Sequence, residues 1–146
     1  AIDVTTQAQI LKLLKDLQRE RGMSILFITH DLGVIAQMAQ YVVVMYLGRV
    51  MEKGPVDSIF HDPKHPYTQA LLRSIPSAQK TTKIKLPTIS GSIPHPFNKP
   101  KGCPFHPRCA YAIKGKCNVN LPSEYIVGDQ QYVSCFRYEK SEVNIR

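Results

Sequence analysis

Ser24-Ile25-Leu26-Phe27-Ile28-Thr29-His30-Asp31 is the stretch on which the fold turns. Ser24 to Ile28 form a short, continuous apolar run, the pattern of a parallel strand covered on both faces. Asp31 stands where a side-chain oxygen can cap a helix running to about Ala39. His30 therefore falls at the carboxyl end of a strand and directly before a helix, the place where open α/β sheets bind ligands. A neutral imidazole there can donate a hydrogen bond to a phosphate oxygen and accept another through its second nitrogen. A histidine that only caps or packs near a helix start is the plain alternative, and from one His alone it is the favoured one.

Upstream, Thr5 or Thr6 can cap a helix whose Ile10, Leu11, Leu14 and Leu17 share one face, with Gly22 as its stop. Downstream, Tyr41 to Tyr46 reads as a β-branched and aromatic strand. Gly48 turns the chain, Arg49-Val50-Met51-Glu52 is the hairpin partner, and Gly54-Pro55 opens a short helix. The order helix, strand, helix, strand, strand, helix is that of the end of an α/β domain. A covered parallel strand needs neighbours, and these are expected upstream of Ala1. The absence of an initiator Met fits a piece of a longer protein.

The 146 residues contain 11 Pro, most of them at or beyond Pro63, so a regular first part gives way to a loop-rich second part. There His65 to Ser74 predicts one helix, with Tyr67, Ala70 and Leu71 on a common face and Pro76 ending it. Lys80 to Lys101 reads as an extended Pro-, Lys- and Ser-rich connector. Hydrophobic residues make up 43% of the chain, enough for a core and too many for a disordered polymer. No apolar run approaches the roughly 20 residues of a membrane-spanning helix, and no signal peptide is visible. The net charge is +8, and Pro63 to Ser123 carries no Asp or Glu. That stretch is a solvated basic surface, or the complement of anionic lipid, nucleic acid or a buried anionic cofactor. Nucleic acid is disfavoured, because few aromatics are interleaved as stacking platforms.

Thr29-His30-Asp31-Leu32, the Tyr41–Tyr46 strand, Leu47-Gly48-Arg49-Val50 and Glu52-Lys53-Gly54 together resemble the switch-histidine region of ABC-transporter ATPases. Ala1-Ile2-Asp3 resembles the D-loop of the same family, with Ile in place of the usual Leu. The resemblance runs in register from Ala1 to about Phe60. It implies a truncated ABC-type P-loop ATPase domain over residues 1–62, with His30 contacting the γ-phosphate of ATP and Asp3 at the interface of two ATPase domains. Asp3 is alternatively a charge that favours a helix dipole. The phosphate-cradling loop is absent: the only Gly-Lys pair is Gly115-Lys116, followed by Cys117, and Ala110 stands where the first Gly belongs. The ABC signature and the Mg²⁺-binding acidic strand are absent too. The chain alone is therefore expected not to hydrolyse ATP.

Cys103, Cys109, Cys117 and Cys135 are the only cysteines. A segment rich in Pro and Gly has little core of its own, so a cross-link or metal is plausible. Disulfides suit an oxidising compartment. Structural zinc usually shows Cys pairs two to four residues apart, which this chain lacks. Iron–sulfur clusters also take four thiolates. Spacing leaves zinc and iron–sulfur nearly even. Gly102-Cys103-Pro104-Phe105-His106-Pro107-Arg108-Cys109, Cys117, Pro122 and Cys135, with His65-Pro66-Tyr67-Thr68 and Ala70-Leu71-Leu72, resemble the C-terminal extension of oligopeptide and dipeptide importer ATPases. That resemblance assigns residues 63–146 to the extension and implies a [4Fe–4S] cluster on the four cysteines, with zinc as the alternative. Arg108, Lys114 and Lys116 would offset its negative charge. His95 and His106, each flanked by Pro, are loop residues or substitute ligands.

The fold class expected is α/β: a truncated nucleotide-binding domain followed by a loop-rich cysteine-bearing extension. The resemblance further implies ATP and Mg²⁺ as cofactors and a peripheral place on the cytoplasmic face of the bacterial inner membrane. The implied partners are a second ATPase subunit, two membrane-spanning permease subunits and an extracytoplasmic peptide-binding protein. A related importer for nickel or another small solute, and a non-catalytic four-Cys module docking on nucleic acid, are the two other readings.

Overall fold

A computed structural model of the chain describes residues 3–75, 89, 91–95 and 97–141. Much of the connector expected at Lys80 to Lys101 lies outside the described residues. The chain packs as two compact units, 1–40 and 41–146.

In the first unit, helix α1 (Val4–Arg21) is capped by Asp3. Asp3 Oδ1 accepts the Thr5 N–H at 2.7 Å and the Thr6 N–H at 3.0 Å, while Oδ2 accepts the Thr6 hydroxyl at 3.0 Å. The cap is thus Asp3 rather than Thr5 or Thr6, because the short carboxylate reaches two orphan amides at once. Gly22 ends the helix at φ 62°, a left-handed conformation that glycine adopts without strain. Residues 23–29 join no sheet ladder among the described residues, which corrects the strand expected at Ser24 to Ile28. The physical reason is that a strand is defined by its neighbours' hydrogen bonds. Leu26 and Ile28 are 87% and 92% exposed, while Ile25 and Phe27 between them are half-buried, so the run is covered on one face at most. Helix α2 (Leu32–Met38) follows, capped by Asp31 as expected.

The second unit is built on a four-stranded antiparallel sheet, β1 (Tyr41–Tyr46), β2 (Arg49–Pro55), β3 (Tyr125–Gly128) and β4 (Gln131–Val133), in the order β1-β2-β4-β3. Leu47 and Gly48 both have positive φ, 47° and 78°, the geometry of a tight hairpin turn whose twist matches the strands. Strand β2 runs on to Pro55, three residues beyond the expected Glu52, because Glu52 and Lys53 pair with Val133 and Tyr132 of β4. Gly54 meets Gln131 so closely that a Cβ would stand 3.1 Å from its Cγ. The hairpin β3–β4 was not foreseen. It makes the extension a continuation of the sheet rather than a string of loops. Helices α3 (Val56–His61) and α4 (Pro66–Arg73) complete the unit.

The interior of this unit is aromatic and thiol-rich. Tyr46, Met51, Cys103, Phe105 and Cys117 form one buried cluster, with Tyr67 and Phe136 packed against it. Tyr46, Tyr67 and Phe105 meet edge-on or tilted, with centroids 4.8 to 5.4 Å apart. One carboxylate stitches the unit together. Glu52 is fully buried and accepts from the Lys64 N–H at 2.7 Å, the His65 N–H at 2.9 Å and Gln131 Nε2 at 3.0 Å. Three donors on two other segments satisfy a charge that would otherwise be costly to bury. No helix among the described residues is long and apolar enough to cross a membrane.

Candidate functional site: a four-cysteine cavity and a helix-capped histidine

The backbone brings the four cysteines together from three segments. Cys103 and Cys117 are joined through the main chain, the Cys103 N–H donating to the Cys117 carbonyl at 2.8 Å. This close approach requires Gly102: its φ is 72°, and a Cβ there would lie 2.4 Å from the Cys117 oxygen. Cys109 follows the short 3₁₀ turn His106–Arg108, and Cys135 leaves β4 just before a second 3₁₀ turn, Phe136–Ser141. All four thiols are free and all four line a single small cavity of about 10 Å³. His65, Phe105, His106 and Arg137 share its wall. Among the described residues, no three His, Cys, Asp or Glu side chains are drawn close enough to hold a metal ion as they stand.

Each of the four sulfurs receives a backbone hydrogen bond. Cys103 accepts a hydrogen bond from the backbone of Phe105, Cys109 from Tyr111 and Cys135 from Arg137, in each case two residues on. Cys117 Sγ accepts the Ile113 N–H at 3.3 Å. Against this, burial pushes the Cys103 thiol up to about 11 and raises Cys109 and Cys135. Buried thiols whose anions are hydrogen-bonded but poorly solvated suit a bound soft cation, which stabilises the thiolates directly. The donor set fits iron or zinc by type. By volume the cavity is about one water across, nearer to a single ion than to a four-iron cube.

The charges around the cavity differ from those expected. Arg108 donates to the Tyr46 hydroxyl at 3.3 Å and the Ile89 carbonyl at 3.1 Å. Lys116 pairs with Glu139 and lies over the Phe136 ring. Lys114 is exposed. Burial raises the pKa values of Cys109 and Cys135, and the charge of Arg137 offsets part of that rise while its guanidinium lies 4.3 Å from the centre of the Tyr111 ring. Its position two residues after Cys135 was the available signal. His65 was read as a helix start and as part of the His65-Pro66-Tyr67-Thr68 motif of the extension. It is 1% exposed, its Nδ1 accepts the Tyr67 N–H at 3.0 Å, and burial lowers its pKa to about 4. His106 Nδ1 donates to the Cys103 carbonyl at 2.9 Å, so it braces the loop next to the first cysteine. His95 lies apart from the cavity, stacked near Phe97.

In the first unit, His30 is exposed and stands immediately before the cap of α2. Asp31 Oδ1 accepts the Gly33 N–H at 2.9 Å and the Val34 N–H at 3.2 Å, and Oδ2 accepts Gln7 Nε2 at 3.2 Å. The Asp31 N–H in turn donates to Thr29 Oγ1 at 3.0 Å. His30 is thereby fixed in backbone while its ring is open to a ligand. The Val34 amide holds the Asp31 carboxyl below its usual range, helped by Gln7. The Thr6 amide does the same for Asp3. Gln7 of α1 links the helix that Asp3 caps to the cap that follows His30.

Residues 51–117 match the family model of the oligopeptide/dipeptide transporter, C-terminal region. The match includes Cys103, Cys109 and Cys117. Nearly the whole chain is similar to ATP-binding proteins of peptide transport. It is 49% identical over 140 residues to the oligopeptide transport ATP-binding protein AppD of Bacillus subtilis, covering 96% of this chain and 42% of that protein. It is 44% identical over 142 residues to the dipeptide transport ATP-binding protein DppF of Escherichia coli, covering 97% of this chain and 42% of that protein. The protein of the same name from Haemophilus influenzae is 44% identical over 139 residues, 95% of this chain and 42% of its own length. The chain thus spans less than half the length of these curated relatives.

Proposed function

We propose that this chain is the C-terminal part of an ATP-hydrolysing subunit that energises peptide import across a bacterial inner membrane. The carrying observation is the pairing of an exposed His30, held before a capped helix, with extended similarity to peptide-transport ATP-binding proteins. His30 would donate to the γ-phosphate of ATP, and Asp3 would lie where two ATPase domains meet. ATP and Mg²⁺ would be gripped mainly by the rest of a P-loop domain of which residues 1–62 are the end, so the 146 residues alone would not turn ATP over. Closure on ATP and release after hydrolysis would move two membrane-spanning permease subunits, fed by an extracytoplasmic peptide-binding protein, with a second ATPase subunit opposite. The subunit would sit peripherally on the cytoplasmic face. The test is ATP-driven uptake of a labelled peptide into vesicles by the reconstituted complex. His30→Ala should cut hydrolysis and uptake together by about 100-fold or more, the loss typical of a removed charge-stabilising donor. Uptake at the unaltered rate would sink the reading.

For the extension, residues 63–146, we infer that Cys103, Cys109, Cys117 and Cys135 hold a [4Fe–4S] cluster whose main job is structural. The convergence of four free thiols, each receiving an N–H, supports this. The small cavity volume favours the second reading, a single zinc ion in the same place. When bound, either group supplies a cross-link between segments that local burial alone holds weakly.

A further inference from the structure

The stretch from Pro63 to Ser123, which carries no Asp or Glu, still lacks a task once its charges are located. Arg108 and Lys116 are engaged within the fold. Lys99, Lys101 and, from the hairpin turn, Arg49 are exposed, and among the described residues none of the three pairs with an acid. These three gather on one surface of the second unit. An open groove of about 350 Å³ is lined by Gly48, Arg49, Pro104, Leu121 and Pro122 among others, and no carboxylate lines it. The Lys99 ammonium stands at its Gly48 rim, 3.6 Å from where a Cβ on that glycine would be. Lys101 precedes Gly102, whose Cβ position lies 2.9 Å from the Val119 nitrogen. Val119 and Leu121 are 58% and 51% exposed. Bare apolar side chains ringed by cations, with no acid among them, make an amphipathic surface.

We propose that this surface docks the protein on an anionic phospholipid bilayer. Val119 and Leu121 enter the boundary between headgroups and acyl chains, while Arg49, Lys99 and Lys101 meet lipid phosphates. The chemistry of the groove selects this partner. An acid on its wall would be repelled by the leaflet, and it has none. A nucleic acid is held by rings on which bases stack, and no aromatic side chain lines the groove. A second copy of the chain would set cations against cations. The inference deepens the peripheral placement proposed above, but its chemistry rests on these five side chains and on neither ATP nor the cysteines.

The test is co-sedimentation of the full-length protein with vesicles of phosphatidylcholine alone or mixed with phosphatidylglycerol. Binding should occur on the mixed vesicles and weaken as salt is added. The triple variant Arg49→Gln, Lys99→Gln, Lys101→Gln should bind about a hundredfold more weakly, about fivefold for each cation removed. Leu121→Ser should bind about tenfold more weakly with the salt dependence unchanged. All four side chains are exposed, so these variants keep the fold. Equal binding to phosphatidylcholine alone, or a triple variant that binds mixed vesicles as the unaltered protein does, would overturn the proposal. Retention of a single-stranded oligonucleotide with none on vesicles would overturn it in favour of nucleic acid. No ATP or permease takes part, so failure here leaves the import reading standing, and peptide uptake indifferent to His30→Ala would leave this surface standing.

Discussion

Gly102 is the residue on which the cysteine site is most sensitive. Its positive φ and the 2.4 Å approach to the Cys117 oxygen leave no room for a side chain. Gly102→Ala should lower stability by at least about 1 kcal/mol, seen as a lower unfolding midpoint, and should loosen the Cys103–Cys117 pairing, seen as faster thiol labelling. Equal labelling rates would show that the backbone tolerates the methyl group. Asp31 is the second sensitive residue. Hydrogen bonds hold its carboxyl below its ordinary value of 3.8, so its contribution to α2 is present above that value and fades as pH falls through the lower folded value. Acidification past pH 3.8 should unfasten α2 in the unaltered protein, while Asp31→Ala should leave α2 frayed at neutral pH; amide exchange of Gly33 and Val34 reports both. Exchange that does not respond to either change would count against the cap. Asp31 as a cap was legible because a short acidic side chain before an apolar run has few other uses. Asp3 was not chosen, since Thr5 and Thr6 are also good caps and only geometry shows which oxygen reaches the amides.

At the scale of elements, the sheet of the second unit depends on Glu52. In sequence it was the end of a hairpin strand and part of the Glu52-Lys53-Gly54 resemblance, and neither reports its burial. Its burial follows from contacts with Lys64, His65 and Gln131, the last 79 positions away. No local pattern reports such a distance. Glu52→Ala should destabilise the unit by on the order of 3 kcal/mol, because two buried donors and one half-buried donor lose their acceptor. Urea unfolding measures this, and a change under about 1 kcal/mol would mean that water replaces the carboxylate. The hairpin β3–β4 escaped notice for a related reason. Its strands span four and three residues, too short for an alternation to declare itself, and β4 is fixed by pairing with β2. The helices α2, α3 and α4 and the hairpin β1–β2 were readable because caps, turn glycines and apolar spacing are local signals. Ser24 to Ile28 shows the opposite case. Its composition is that of a covered strand, but composition does not supply neighbours, and Leu26 and Ile28 lie bare.

For the molecule as a whole, the sequence motif and the packing lead to two sites of different character. His30 stands in the open before the capped helix α2, and in the proposed function it would serve a nucleotide held largely by other residues. The cysteines form a closed site whose parts all lie within residues 41–146. Their grouping in sequence hinted at a shared purpose, and the backbone confirms that they face one cavity. Arg137 escaped the sequence reading because Arg108, Lys114 and Lys116 lie among the first three cysteines, whereas Arg137 stands two residues after the last. The most direct test is elemental analysis of the full-length protein purified without air, beside its Cys117→Ser variant. The account predicts iron and acid-labile sulfide in equal amounts, or one zinc per chain on the second reading, lost in the variant. Iron, sulfide and zinc no higher than in Cys117→Ser would contradict it.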